Sequence, residues 1–191
     1  MTDAVLGWLD EGQRALEAGQ FDVAAAAFAR VQQQLPTDVS VAIALANVYR
    51  LSGDAPASRH TLLESHAGGV WADPSVAFVL GAALLDAGAA REAADCFEHV
   101  VSLMPRNPAA LGALAGARRT LGDPESAWPL IHRAVSTSPR DPALLLTAAQ
   151  IRHDLVDIAG ALRWLDRADA ARPNHRATQL QRAYSLLLGG A

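Results

Sequence analysis

Gly19, Gly53, Gly88 and Gly122 follow one another at intervals of 34, 35 and 34 residues. A period of that length is the mark of a repeat fold, in which a single unit is too small to bury its own apolar face and is stable only against a neighbour. A further step of 34 lands on Val156, where glycine is gone but Asp157 follows, as Asp54 follows Gly53 and Asp123 follows Gly122. Three more columns keep the same register. Five positions beyond each turn stands a small residue: Ala24, Ser58, Ala93, Ala127, Ala161. Four positions further stands a large apolar one: Phe28, Leu62, Phe97, Ile131, Leu165. Pro36, Pro105, Pro139 and Pro173 are spaced by 69, 34 and 34, which is two periods plus one and then single periods. One extra residue between Leu62 and Leu80 reconciles all the columns, and Gly68-Gly69 is its predicted place.

Each period reads as two helices. In the third, Pro74 opens the first helix, where its fixed φ and missing N–H cost nothing. Ala77, Leu80, Gly81 and Leu84 then recur at helical spacing, and Gly88 closes the helix as a left-handed cap. A second helix carries Ala93, Phe97 and Val100 on one face, and Pro105 and Pro108 separate it from the next unit. Small residues at Gly81 and Ala93 let the paired backbones approach, while Phe97 fills the gap to the following pair.

Composition agrees with an all-helical chain. Of 191 residues, 51% are hydrophobic but only 5% aromatic, and alanine, the best helix former, makes up much of the apolar share. The net charge of −4 gives no basic footprint for nucleic acid. All 16 basic residues are arginine, which removes the P-loop lysine and every Schiff-base mechanism. Cys96 is the lone cysteine, so neither an internal disulfide nor a cysteine zinc site is expected, and no cofactor or metal is predicted. The start of the chain lacks a basic region followed by an apolar run, and the longest apolar stretch, residues 76–85, is too short to span a bilayer. The expected location is the cytoplasm.

These columns resemble the tetratricopeptide repeat, a 34-residue helix–turn–helix unit. Its signature is met by Trp8, Gly12, Ala24, Phe28 and Pro36 in the first unit and by Leu45, Ala46 and Tyr49 in the second. Leu80, Gly81, Ala93, Phe97 and Pro105 meet it in the third, Leu114, Ala127, Ala134 and Pro139 in the fourth, and Ala161, Ala168 and Pro173 in the fifth. Glu11 and Ala15 depart from it, as does Ser58. The resemblance implies an all-α, right-handed superhelical solenoid of about five repeats plus a C-terminal helix. The predicted units are 5–38, 39–73, 74–107, 108–141 and 142–175, with the terminal helix over 176–188, forming one array over 1–191. Leu180, Ala183 and Leu187 give the terminal helix an apolar stripe, and Gln179, Gln181 and Arg182 are expected on a polar outer face.

In this family the first helices line a concave groove. The resemblance therefore implies that Asn47, Arg50, Phe78, Ala82, Gly116, Arg119, Gln150, His153 and Tyr184 contact a partner. Leu9 and Gln13 stand where a carboxylate clamp needs basic and amide side chains, and Asn47 alone cannot form an asparagine ladder. The small residues Ala82, Gly112, Ala113 and Gly116 leave room for an amphipathic helix or extended peptide. The opposing reading is that Phe78, Ile43 and Leu146 only pack between repeats.

Catalytic candidates are weak. Arg152-His153-Asp154 sits at a helix end, where adjacent residues do not face each other, and a solvated end is the expectation. His60 and His66 lack the spacing of a helical zinc pair. Gly112 and Gly116 are read as close packing, Cys96 as inert core, and Trp128 and Trp164 as seals of the outer layer. The predicted function is a non-enzymatic protein-interaction scaffold, without nucleic acid or membrane partners. The alternatives are a targeting region of a larger glycosyltransferase- or sulfotransferase-type enzyme, suggested by a break within a sixth unit at Gly189-Gly190, and a self-assembling scaffold that forms homo-oligomers through its terminal helices.

Overall fold

A computed structural model describes residues 2–69 and 72–189, with side chains to Leu187. Among the described residues there are eleven α-helices and no strand. They are α1 (Asp3–Glu17), α2 (Phe21–Gln34), α3 (Val39–Ser52), α4 (Ala55–Ala67), α5 (Pro74–Asp86), α6 (Ala90–Leu103), α7 (Pro108–Thr120), α8 (Pro124–Thr137), α9 (Pro142–Asp154), α10 (Ile158–Ala171) and α11 (Arg176–Gly189).

The helix ends are written in the sequence. Each first helix from α3 to α9 begins at a side-chain cap: Asp38, Asp73, Asn107 and Asp141. Each cap oxygen accepts from the N–H groups two and three residues on, at 2.7 Å for Asp73 with Ser75 and 3.0 Å for Asn107 with Ala109. That satisfies donors that otherwise have no intrahelical partner. Proline follows the cap at Pro74, Pro108 and Pro142, where no N–H is needed. The turn inside each pair is equally regular. The N–H groups of Gln20, Asp54, Ala89, Asp123 and Asp157 each donate to the carbonyl five residues back, at 2.8 to 3.0 Å. This is the Schellman closure, and it needs a left-handed residue just before the donor. Gly53 and Gly122 supply it, with φ of +86° and +80°. Val156 is forced into the same region, at +62°, so the turn geometry has outlived the glycine that suits it.

The chain divides into two compact units, Met1–Cys96 and Phe97–Ala191, so that α6 spans the division. Within each unit the repeat columns are the core. Ala24, Ala93, Ala127 and Ala161 are fully buried, as is Ser58 in the same column, and so are Phe28, Leu62, Phe97, Ile131 and Leu165 in the large-residue column. In the first unit Phe28 packs with Ala15, Ala24, Leu45 and Val48. Trp8 covers a second cluster of Val5, Val31 and Val41. In the second unit Leu111, Ile131, Leu144, Leu145 and Ile151 form one continuous cluster, with Trp128 and Trp164 against it.

Successive pairs in the second unit are also tied by a recurring clasp. Arg133 donates to the carbonyl of Pro105 at 2.8 Å, and Arg167, one period later, to that of Pro139 at 3.4 Å. The two tryptophans meet edge to face at 5.8 Å between ring centroids, and the Arg152 guanidinium lies 3.7 Å from the Trp128 ring centroid. Both rings pack against the core cluster of the second unit.

The expectation for α11 holds at Gln179, which is exposed, and fails elsewhere. Gln181 and Arg182, assigned to its outer face, are half-buried, and Arg182 donates to Asp166 and Asp169 at 2.7 and 2.6 Å. Thr178 and Ser185 are the residues it buries, while Leu180, Tyr184 and Leu187 face outward. The reason is the small size of Thr178 and Ser185, which lets α11 settle closely against its neighbours, whereas a leucine stripe on that side would hold it away. The break expected at Gly189-Gly190 lies partly outside the described residues.

Candidate functional site

The nine residues expected to contact a partner all lie on first helices or on α11, and they fall in two places. In the first unit, α3 carries Asn47 and Arg50 one turn apart, and the Arg50 guanidinium donates to the Asn47 side-chain oxygen at 2.7 Å. Both line a cleft of about 300 Å3 between α3, α4 and α5, whose walls include Ile43, Leu62, Ala83 and Asp86. Its floor includes Ser58, the buried hydroxyl in a column that is otherwise alanine. On α5, Phe78 is half-buried and Ala82 is exposed.

The second unit gathers the other five. Arg119 on α7 donates to Asp154 on α9 at 3.2 Å, joining two first helices across one period. Beside it the His153 ring meets the Tyr184 ring of α11, with centroids 4.9 Å apart and planes inclined by 38°. This corrects the expectation of a solvated helix end: only 11% of the His153 side chain is exposed, because Tyr184 covers it. The His153 Nδ1 and Asp154 Oδ1 are 3.8 Å apart, too long for a hydrogen bond. Arg119 Nε and His153 Nε2 are buried without a hydrogen-bond partner, while Gln150 is half-buried and Tyr184 is 53% exposed.

Gly116 lies on the same helix as Arg119. A Cβ there would meet no atom within 4 Å, so the space over it is open and close packing does not explain it. Gly112, one turn earlier, is different: a Cβ there would collide with the Leu144 side chain, so close packing does hold at that position.

Asp154 and Asp86 fall on groove positions of their repeats but are not among the nine residues expected to contact a partner. They occupy one repeat position, next to Arg119 and Arg50, which occupy another. Comparing columns one period apart would have paired them, whereas a motif search confined to neighbours in the chain could not.

The chemistry offered is recognition chemistry: a cation held by a carboxylate, an amide, an imidazole and a half-open phenol. Cys96 does not add a nucleophile. It is fully buried, and desolvation, with Asp95 nearby, pushes its thiol up to about 12. Among the described residues no group of three or more His, Cys, Asp or Glu side chains could hold a metal. No described helix is long and apolar enough to cross a membrane.

A sequence model of the tetratricopeptide repeat matches residues 9–74 and 78–142, more than half of the chain. The chain belongs to the tetratricopeptide repeat family. Solved structures agree on the fold. MamA is similar with a TM-score of 0.68 at 17% identity, covering 90% of this chain and 93% of that one. YrrB, described as a tetratricopeptide repeat protein with an unusual peptide-binding site, is similar with a TM-score of 0.67 at 14% identity, covering 92% and 90%. A tetratricopeptide repeat protein from Parabacteroides merdae reaches 0.78 at 11% identity, over 99% of this chain and 75% of its own. No curated protein matches the sequence. Members of this family act as protein-interaction scaffolds.

Proposed function

We propose that this tetratricopeptide repeat chain is a non-enzymatic scaffold that holds a peptide or helix of a partner protein against its first helices. The observation that carries the reading is the row on α7, α9 and α11. Arg119, one turn from the open space over Gly116, has an Nε without a hydrogen-bond partner and reaches Asp154 on α9, where the half-buried amide of Gln150 and the His153 ring, covered by the half-exposed Tyr184, continue the row. A buried N–H without a partner is costly, so a ligand carbonyl or carboxylate that takes up the Arg119 Nε–H gains more than it would on an open surface. In the first unit the cleft lined by Asn47 and Arg50 would take an anchor of the same kind, with Phe78 and Ala82 on α5 as further contacts.

The test fills the space without touching the core. Gly116→Trp adds a side chain where nothing stands within 4 Å, and Arg163→Glu changes an exposed residue on α10 as a control. Affinity capture from the source cell should lose its specific partner with Gly116→Trp, and with Arg50→Glu plus Arg119→Glu, but keep it with Arg163→Glu. Unchanged capture by both groove variants would end this reading.

A second reading has one observation in its favour. The outward face of α11 is apolar, with Leu180, Tyr184 and Leu187 all more than half exposed, which suits association between copies of this chain. A place within a larger transferase has no such support.

A further inference from the structure

We infer that copies of this chain associate head to tail, the apolar face of α11 in one copy seating on the acidic face of α1 in the next. This rests on the self-association reading and adds its polarity. Charge is distributed very unevenly along the chain. The first unit carries five arginines against twelve acids, a net of −7, and the second carries eleven arginines against eight acids, a net of +3.

The two terminal helices concentrate the contrast. On α1, Asp3, Leu6, Asp10, Gln13 and Glu17 recur at helical spacing, and all five are exposed. That helix has four acids and one arginine, Arg14, which is already held by Asp10 at 2.5 Å. On α11, Arg176, Leu180, Tyr184 and Leu187 share a face, again all exposed. Its charged residues are Arg176 and Arg182, of which Arg182 is held by Asp166 and Asp169, and Arg172 stands exposed just before it.

A parallel pair of α11 faces would bring Arg176 toward Arg176, an antiparallel pair would leave Arg172 and Arg176 without an opposing acid, and two copies of α1 would oppose carboxylates. An α11-to-α1 contact instead covers Leu180 and Leu187 with Leu6 and opposes Arg172 and Arg176 to the acids of α1 that no arginine holds, Asp3 and Glu17. The two faces differ, so the contact is heterologous and each copy of a pair keeps one face free for another copy. Such charges are exposed and act within about a Debye length, so the association weakens as salt rises.

The experiment uses the full chain in light scattering and sedimentation, at low and high salt and over a concentration series. Wild type is expected to grow past dimer at low salt and to dissociate at high salt. One variant, Asp3→Arg with Glu17→Arg, spoils the α1 face. Another, Leu180→Glu with Leu187→Glu, spoils the α11 face. Each alone is expected to be monomeric with unchanged helicity by circular dichroism. Their equimolar mixture should form a dimer and nothing larger, because one intact face of each kind remains. If charge reversal lowers the helicity, Asp3→Asn with Glu17→Gln serves in its place and should give a several-fold weaker association.

A monomeric wild type under all conditions would overturn self-association altogether. Association by either variant alone, or a mixture no larger than its components, would overturn the head-to-tail polarity while leaving self-association standing.

Discussion

Gly112 and Gly116 stand one turn apart on α7 and do opposite things. A methyl group on Gly112 runs into Leu144, whereas one on Gly116 points into open space. Gly112→Ala is therefore expected to destabilise the chain, by about 1 to 3 kcal/mol if the neighbour must shift to make room. Gly116→Ala is expected to stabilise it by up to about 1 kcal/mol through helix propensity alone. Urea denaturation of the two variants should show midpoints moving in opposite directions, and a shift of the same sign in both would mean that the packing over α7 is wrongly placed. From the sequence the two glycines are indistinguishable, because spacing records which residues share a helix face but not what stands opposite. The same limit hid the burial of His153, whose covering ring, Tyr184, lies 31 residues further along the chain.

The helix ends were the most legible feature at the scale of elements. Prolines and turn glycines act through local bonds, so Pro74 and Pro108 translated directly into the starts of α5 and α7 and the glycine column into the turns between paired helices, whereas the cap residues were not read. These caps make stability depend on acid. Backbone N–H groups of Ser75 and Val76 hold the Asp73 carboxyl below its ordinary value of 3.8. Hydrogen bonds from Ser126 do the same for Asp123. A carboxyl whose pKa is lowered by folding contributes stability that is full above the unfolded value and is lost as pH falls through the lower, folded value. Unfolding midpoints are thus expected to be level near neutrality and to drop below about pH 4. Asp73→Asn with Asp123→Asn should flatten part of that drop, and an undiminished drop would remove these caps from the account. The orientation of α11 was not legible, because its sequence holds two stripes. The apolar one at Leu180, Ala183 and Leu187 was visible, but Thr178 and Ser185 pack inward since their small side chains permit a closer approach.

At the scale of the whole molecule, the period was readable because each column answers one packing demand. A small residue sits where two helices cross, and a large one fills the space beside it. Contacts that join different repeats left a fainter trace. Arg119 with Asp154, and Arg133 with the Pro105 carbonyl, connect residues 35 and 28 positions apart, and they emerge only when columns are compared with one another. The functional reading depends on these same first helices, since α7, α9 and α11 together present Arg119, Gln150, His153 and Tyr184. Hydrogen–deuterium exchange on the full chain, free and saturated with the partner peptide identified by capture, tests that reading most directly. Binding is expected to slow exchange in α7, α9 and α11, and in α3 and α5, with α8 and α10 unchanged. Slowing confined to α8 and α10, on the tryptophan side, would contradict it.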